Sequence, residues 1–176
     1  MEHAIAYANG NLQAAGKKNN AFKKQEFRNN DKATRRNAAV KACHAYIKRR
    51  DKGKPCISCG HSFGDIKFSA GHFITAGSNL SLRFDERNIF GQCWWNCNKN
   101  RSGNITEFRK GLVERHGQEL LDFLEGEHDL IKDSIEFFRK VEQHYKDKDK
   151  MLEDGIITTS QAWKNPLNIV DLADKK

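Results

Sequence analysis

No apolar run in these 176 residues approaches the roughly 18 needed to cross a bilayer. The opening stretch, MEHAIAYANGNLQAAGKKNN, lacks the charged-then-apolar order of a secretory signal. Internal repeats are absent, which sets aside a solenoid or propeller. Acidic residues are scarce at the front: residues 1–55 hold 14 Lys/Arg against 4 Asp/Glu, and the remainder holds 17 against 19. These absences lead us to expect a soluble, cytoplasmic chain with no membrane partner.

The basic excess therefore sits in one arm. Such an arm suits a polyphosphate partner, because each neutralised phosphate releases counterions. A solvated tail that aids solubility is the plainer reading.

Five cysteines are present, an odd number. Four of them read C-x2-C-x33-C-x3-C: Cys56, Cys59, Cys93 and Cys97. In a cytosolic chain, two close pairs read as metal ligands before disulfides. Four thiolates suit tetrahedral Zn²⁺, and such a site is closed to water and substrate. It clamps two distant segments at one point. The fifth, Cys43, shares a helical stripe with Val40 and Ile47 and is expected as a buried thiol.

Residues 1–30, rich in Asn, Lys, Ala and Gln, form an arm expected to be mobile, or helical only on a partner. A helix follows over about 31–50, with Asp31 as N-cap. Gly53 and Pro55 end it. CISCG reads as a zinc knuckle, its glycine tolerating a left-handed backbone. IKFSAGHFI reads as a strand, TAGSNLSLRFDERN as a polar loop with room for a short turn, and IFGQC as a second strand. A helix is expected to start at Cys97 and run through ITEFRKGLVERHG to Gly117. QELLDFLEG is a short amphipathic helix. A last helix carries Ile131, Phe138, Val141 and Tyr145 on one stripe. The tail PLNIVDLADKK is ambiguous. The expected class is α+β, in three parts: an arm over 1–30, a zinc-held core with its preceding helix over 31–125, and a helical extension over 126–176.

Knuckle, strand with histidine, loop with asparagine, second cysteine pair and helix is an order similar to that of HNH, or ββα-metal, nucleases. YIKRRDKGKPCISCG, AGHF, LRFDERNIFGQC, CNKNRSGN and EFRKGL more specifically resemble the phage NinG/Rap recombination proteins, over roughly residues 40–125. The resemblance implies a phage-encoded, structure-specific endonuclease working in the bacterial host cell. Its substrate would be branched DNA such as Holliday junctions, cut by metal-dependent phosphodiester hydrolysis during recombination. The fold implied is a small zinc-stabilised ββα-metal core of HNH or treble-clef type, flanked by a basic N-terminal helix and C-terminal helices.

Carried onto this sequence, the resemblance makes His72, Asn88 and Asn98 the catalytic set. His72 would take a proton from the attacking water, which its ordinary pKa of about 6.5 suits. Asn98 would help hold a catalytic Mg²⁺ or Mn²⁺. Asn88 would hold the loop or orient His72. Many HNH enzymes carry an Asp directly before this histidine, where this chain has Gly71. Glu107 is the first candidate to replace it as a ligand of the catalytic metal, nine residues after Asn98 and about 13 Å from it if the helix is continuous; Asn104, Asp85 and Glu86 are the alternatives. Arg83, Arg87, Lys99 and Arg101, with Lys48, Arg49 and Arg50 at the end of the basic helix, would grip DNA. Trp94 and Trp95, between zinc ligands, are expected in the core, with stacking on a base as the alternative for one of them. A homodimer and other phage recombination proteins are the expected partners, since junction cutting needs two nicks. Two other readings fit the same residues: a non-catalytic zinc-containing DNA-binding adaptor, which Gly71 favours, and an RNA-binding zinc protein.

Overall fold

The protein is seen in a computed structural model, which describes residues 2–62, 67–164, 166 and 169–173. The arm is helical: α1 spans Glu2–Asn30, and Phe22 and Phe27 on it stand 66% and 71% exposed. Helix α2, Lys32–Arg50, starts where expected, because the Asp31 carboxylate accepts the Thr34 N–H at 2.7 Å and satisfies an orphan donor of the first turn. Gly53, at φ +81°, turns the chain away beyond it.

Two short strands form the only sheet among the described residues. β1 (Phe68–His72) and β2 (Ile89–Cys93) pair antiparallel, Phe68 opposite Cys93 and His72 opposite Ile89. β2 coincides with the expected IFGQC. The expected first strand was longer; Ile66 lies outside the described residues, and the pairing stops at His72 because Asn88 takes the next stretch. Asn88 is wholly buried, and its side chain accepts the Ile74 N–H and donates to the Ile74 and Leu82 carbonyls. Between the strands lies the one-turn helix α3, Leu80–Arg83, capped by the Asn79 side chain on the Ser81 N–H.

The expected continuous helix from Cys97 is interrupted. Trp94–Lys99 form a π-helical turn, with the Asn100 N–H on the Trp95 carbonyl, five residues back. A turn then passes through positive φ at Ser102, Gly103 and Asn104 before α4, Ile105–His116, begins. The extra residue of C-x3-C is the cause. A wider turn absorbs one more residue between two anchored cysteines without moving either. Gly117, at φ +87°, ends α4 as expected, and α5 is Gln118–Glu125.

Helix α6, Ile135–Glu153, is capped by Ser134 and lies along α2. Phe137, Phe138, Val141 and Tyr145 pack there with Ala39, Cys43, Tyr46 and Ile47, and Phe84, Ala70 and Ile89 close this core against one face of the hairpin. Cys43 is the buried thiol its stripe indicated. A second core packs Ile57, Phe73, Phe90, Phe108, Leu112 and Leu121 on the other side. There the knuckle backbone and α4 approach so closely that a Cβ at Gly111 would stand 1.9 Å from the Ile57 carbonyl oxygen. The short helix α7 (Thr159–Lys164) brings Trp163 over the Arg50 guanidinium, 3.9 Å from its ring centre. Of the ambiguous tail, Ile169–Leu172 is a 3-10 turn; residues 167–168 and 174–176 lie outside the described residues. The class is mixed helix with a small two-stranded sheet.

Candidate functional site

The two cysteine pairs converge. The Sγ atoms of Cys56, Cys59, Cys93 and Cys97 all lie within 4.8 Å of one another, and all five cysteines of the chain are free of disulfides. Cys59 and Cys93 are 3.6 Å apart. Four sulfurs at about 2.3 Å around one zinc stand about 3.8 Å from each other, so the donor set and spacing fit that ion. The knuckle is preformed by its own backbone: Gly60 N–H bonds the Cys56 carbonyl, Cys56 N–H bonds the His61 carbonyl, and Gly60 takes φ +70°. It is docked on β2 through Ile57 N–H to the Gly91 carbonyl and Cys93 N–H to the Cys56 sulfur.

Left as thiols, Cys93 and Cys97 are costly to ionise. Burial first, then the neighbouring sulfurs, push Cys93 up and Cys97 up to about 12. Burial works against Cys59 too, but the His61 N–H and the other three thiols outweigh it and lower its pKa. A bound cation reverses this balance, because thiolate is the ligand form.

His72 ends β1 half-buried, and its Nε2 lies 2.9 Å from the Arg83 carbonyl oxygen. A carbonyl only accepts, so Nε2 carries the proton and the Nδ1 lone pair is the ring's basic site. Burial holds the pKa of His72 below its ordinary value, against the carbonyl's opposite pull. The ring borders a hollow of about 340 Å³ lined by Arg36, Val40, His44, Ala76, Arg83 and Phe84, among others. His44, on α2, stands with its ring centre 5.7 Å from that of His72. Burial, then His72 and Lys48, push its pKa down to about 4. Sequence reasoning passed over His44 and Arg36. The only available signal was that both lie on the helix preceding the knuckle.

The remaining expected residues scatter. Asn88 is spent on the backbone at Ile74 and Leu82, so it fixes the two segments that flank His72 and its carbonyl partner. Asn98 donates to Ser69 Oγ at 2.8 Å. Ser69 and His72 are three residues apart on β1, so their side chains leave opposite faces. Glu107 sits in the first turn of α4 in a half-exposed ion pair with Lys110, on a helix not continuous with Asn98. Asp85 holds Arg87, and Glu86 is buried against Tyr46 and Lys148. Asn104 reaches the Cys97 sulfur at 3.8 Å.

Among the cations, Arg83 lines the hollow and donates to the Ala76 carbonyl. Arg87 lies over the Phe123 ring. Lys48, Lys99 and Arg101 are exposed. Arg49 is engaged by Asp149 and Glu153 on α6. Arg50 corrects the expectation outright: it is 0% exposed, locked to Asp51 and to the Glu86 and Ile89 carbonyls, and is a core residue with no access to DNA. Trp95 departs as well, at 56% exposed rather than in the core, while Trp94 is part-buried.

No helix among the described residues is long and apolar enough to cross a membrane. No solved structure matches the chain significantly. The family described as Bacteriophage Lambda NinG protein matches residues 3–154. Proteins named Protein ninG are similar over 117 residues: 39% identical in Escherichia phage 933W, and 38% in Escherichia phage lambda and Salmonella phage P22. Each alignment covers 66% of this chain; it covers 57% of the 933W and P22 proteins and 56% of the lambda protein, so the chain spans little more than half the length of these relatives. The chain belongs to the NinG family of bacteriophage proteins.

Proposed function

We propose that the chain is a zinc-held, structure-specific endonuclease acting on branched DNA, with His72 as general base. The observation that carries this is the bond between His72 Nε2 and the Arg83 carbonyl. It leaves a neutral imidazole with Nδ1 free to take a proton from a water attacking phosphorus, while the P–O bond to the sugar oxygen breaks and that leaving oxygen takes a proton from solvent. Arg36 and Arg83, at the same hollow, supply the positive charge that a phosphodiester and its developing negative charge require. Zinc in the cysteine cluster takes no part in this step. It holds the knuckle, β2 and the π-helical turn in one place so that the end of β1 is fixed.

A catalytic Mg²⁺ or Mn²⁺ does not fit the residues beside His72. A hard cation needs oxygen donors, and no carboxylate among the described residues lines this hollow. The same gap favours a second reading, a DNA-binding adaptor of phage recombination that does not cut. A labelled four-way junction, incubated with the wild type and with His72→Ala, with Mg²⁺, with Mn²⁺ and with chelator, separates the two. The nuclease reading expects cutting by the wild type and a loss of at least a hundredfold in the variant. Tight junction binding without cutting under every condition supports the adaptor.

A further inference from the structure

The geometry points to Trp94 and Trp95 as a stacking platform for an unpaired nucleobase, and so to the part of the surface that tells branched from linear DNA. This rests on the DNA reading above and adds to it the feature of DNA that is recognised.

Trp95 leaves 56% of its surface in water, although a large indole is among the costliest side chains to expose. Its ring centre lies 5.8 Å from that of Trp94, tilted by 37°. Lys99 Nζ stands 5.2 Å and 5.1 Å from the two rings, and Lys67 Nζ 4.5 Å from Trp94. The Trp94 N–H bonds the Lys67 carbonyl, which ties the second lysine to the turn. Cys93 and Cys97 bracket both indoles, so metal binding at the cluster would fix the turn at both ends. With that metal bound the platform would be fixed before any partner arrives, and ordering it would cost little on binding.

An exposed indole beside a part-buried one, with two ammonium groups next to them, matches one chemistry well. The indole face takes a base face of any sequence, and the lysines take the neighbouring phosphates. Inside a duplex both faces of every base are already covered. Only an end, a gap or a branch point presents a free one. The platform adjoins the Phe68 end of β1, since Phe68 pairs with Cys93, and His72 ends the strand four residues on, about 13 Å away. A base on the indoles therefore leaves the hollow free for a backbone phosphate.

The test is binding, read separately from cutting. The full chain is titrated into a four-way junction carrying 2-aminopurine at the branch point, into a single-stranded oligothymidylate, and into a relaxed, covalently closed circular duplex, which has no ends. We expect quenching of the 2-aminopurine by the wild type. Trp95→Ala should lose the quenching and bind the junction and the single strand about tenfold more weakly, with duplex binding and zinc content unchanged. Trp95→Phe should keep most of both. Unchanged junction binding in Trp95→Ala overturns the proposal, as does an equal loss on all three substrates. A change from dimer to monomer in Trp95→Ala with DNA binding intact would make the indoles a self-interface and also overturns it. A wild-type chain that quenches the 2-aminopurine but never cuts sinks the nuclease reading alone.

Discussion

Gln92 lies across the backbone of Gly71: a Cβ built on that glycine would stand 2.4 Å from Gln92 Oε1 and 3.1 Å from its Cβ and Cδ. Gln92 is wholly buried, with Nε2 donating to Ser58 Oγ and to the Gly103 carbonyl. It thereby ties β2 both to the knuckle and to the turn before α4. The space beside Gly71, directly before His72, is filled by a neutral amide from the next strand.

Gly71→Asp is therefore expected to cost stability instead of supplying a metal ligand. Overpacking of this kind costs about 1–3 kcal/mol. Denaturant unfolding of Gly71→Ala, Gln92→Ala and the double variant checks it. The double variant should recover part of the Gly71→Ala loss, because the clash leaves with the glutamine side chain. Additive losses would mean that the two residues do not meet.

Removing the metal is expected to unfold the hairpin region first. Structural zinc sites contribute on the order of 10 kcal/mol of apparent binding free energy, and the cysteines hold three segments together. We expect about one zinc per chain by elemental analysis. Chelation should drop near-ultraviolet circular dichroism from Trp94 and Trp95, while the α2–α6 pair, which contains none of the four ligands, keeps helical signal longer. A Cys56→Ser chain that retains zinc, fold and full activity would contradict the clamp.

How much of this was legible follows from where the signals lie. The strand IFGQC, the Asp31 cap and the two cysteine pairs are local patterns with local causes, and they appear as read. The break after Cys97 was hidden because one added residue between ligands shows in sequence only as a spacing, while its consequence is a π-helical turn. Arg50 was misplaced because three consecutive basic residues read as a solvated face. Its burial depends on Asp51, Glu86, Ile89 and Trp163, which the chain brings together only on folding. His44 carried no signal for the same reason: its partner is 28 residues away and meets it only when α2 packs on the hairpin.

Arg50 should accordingly behave as a stability residue. Its guanidinium makes bonds in several directions at 0% exposure, and truncation would leave the buried Asp51 with only Lys54 and the Gly91 N–H and would strip two carbonyls of this donor. Removing one partner of a buried pair costs about 3–5 kcal/mol. We expect Arg50→Ala to lose that much in urea unfolding. Arg50→Lys should recover little, because an ammonium cannot span the same bidentate and carbonyl contacts. An Arg50→Ala chain of normal stability with weakened DNA binding would return the residue to the surface role.

The histidine pair makes stability fall in mild acid. Burial places the pKa of folded His44 at about 4 and lowers that of His72, whereas both titrate near 6.5 when unfolded. Between those values the unfolded chain binds more protons than the folded one, so unfolding free energy rises with pH there. The contribution of the pair is fully present above about pH 6.5 and is lost as pH falls toward the folded values. Other groups titrate in the same range, so the difference between proteins is the useful quantity. Urea unfolding of the wild type and His44→Asn at pH 7.5, 6 and 5 should show the wild type losing more stability over that interval. Parallel losses would mean that His44 is solvated and charged in the folded chain. Under the proposed chemistry, cutting by the wild type should persist below pH 6.5, because a depressed pKa keeps His72 unprotonated there; a rate that falls with the ordinary histidine pKa would instead place the imidazole in open water.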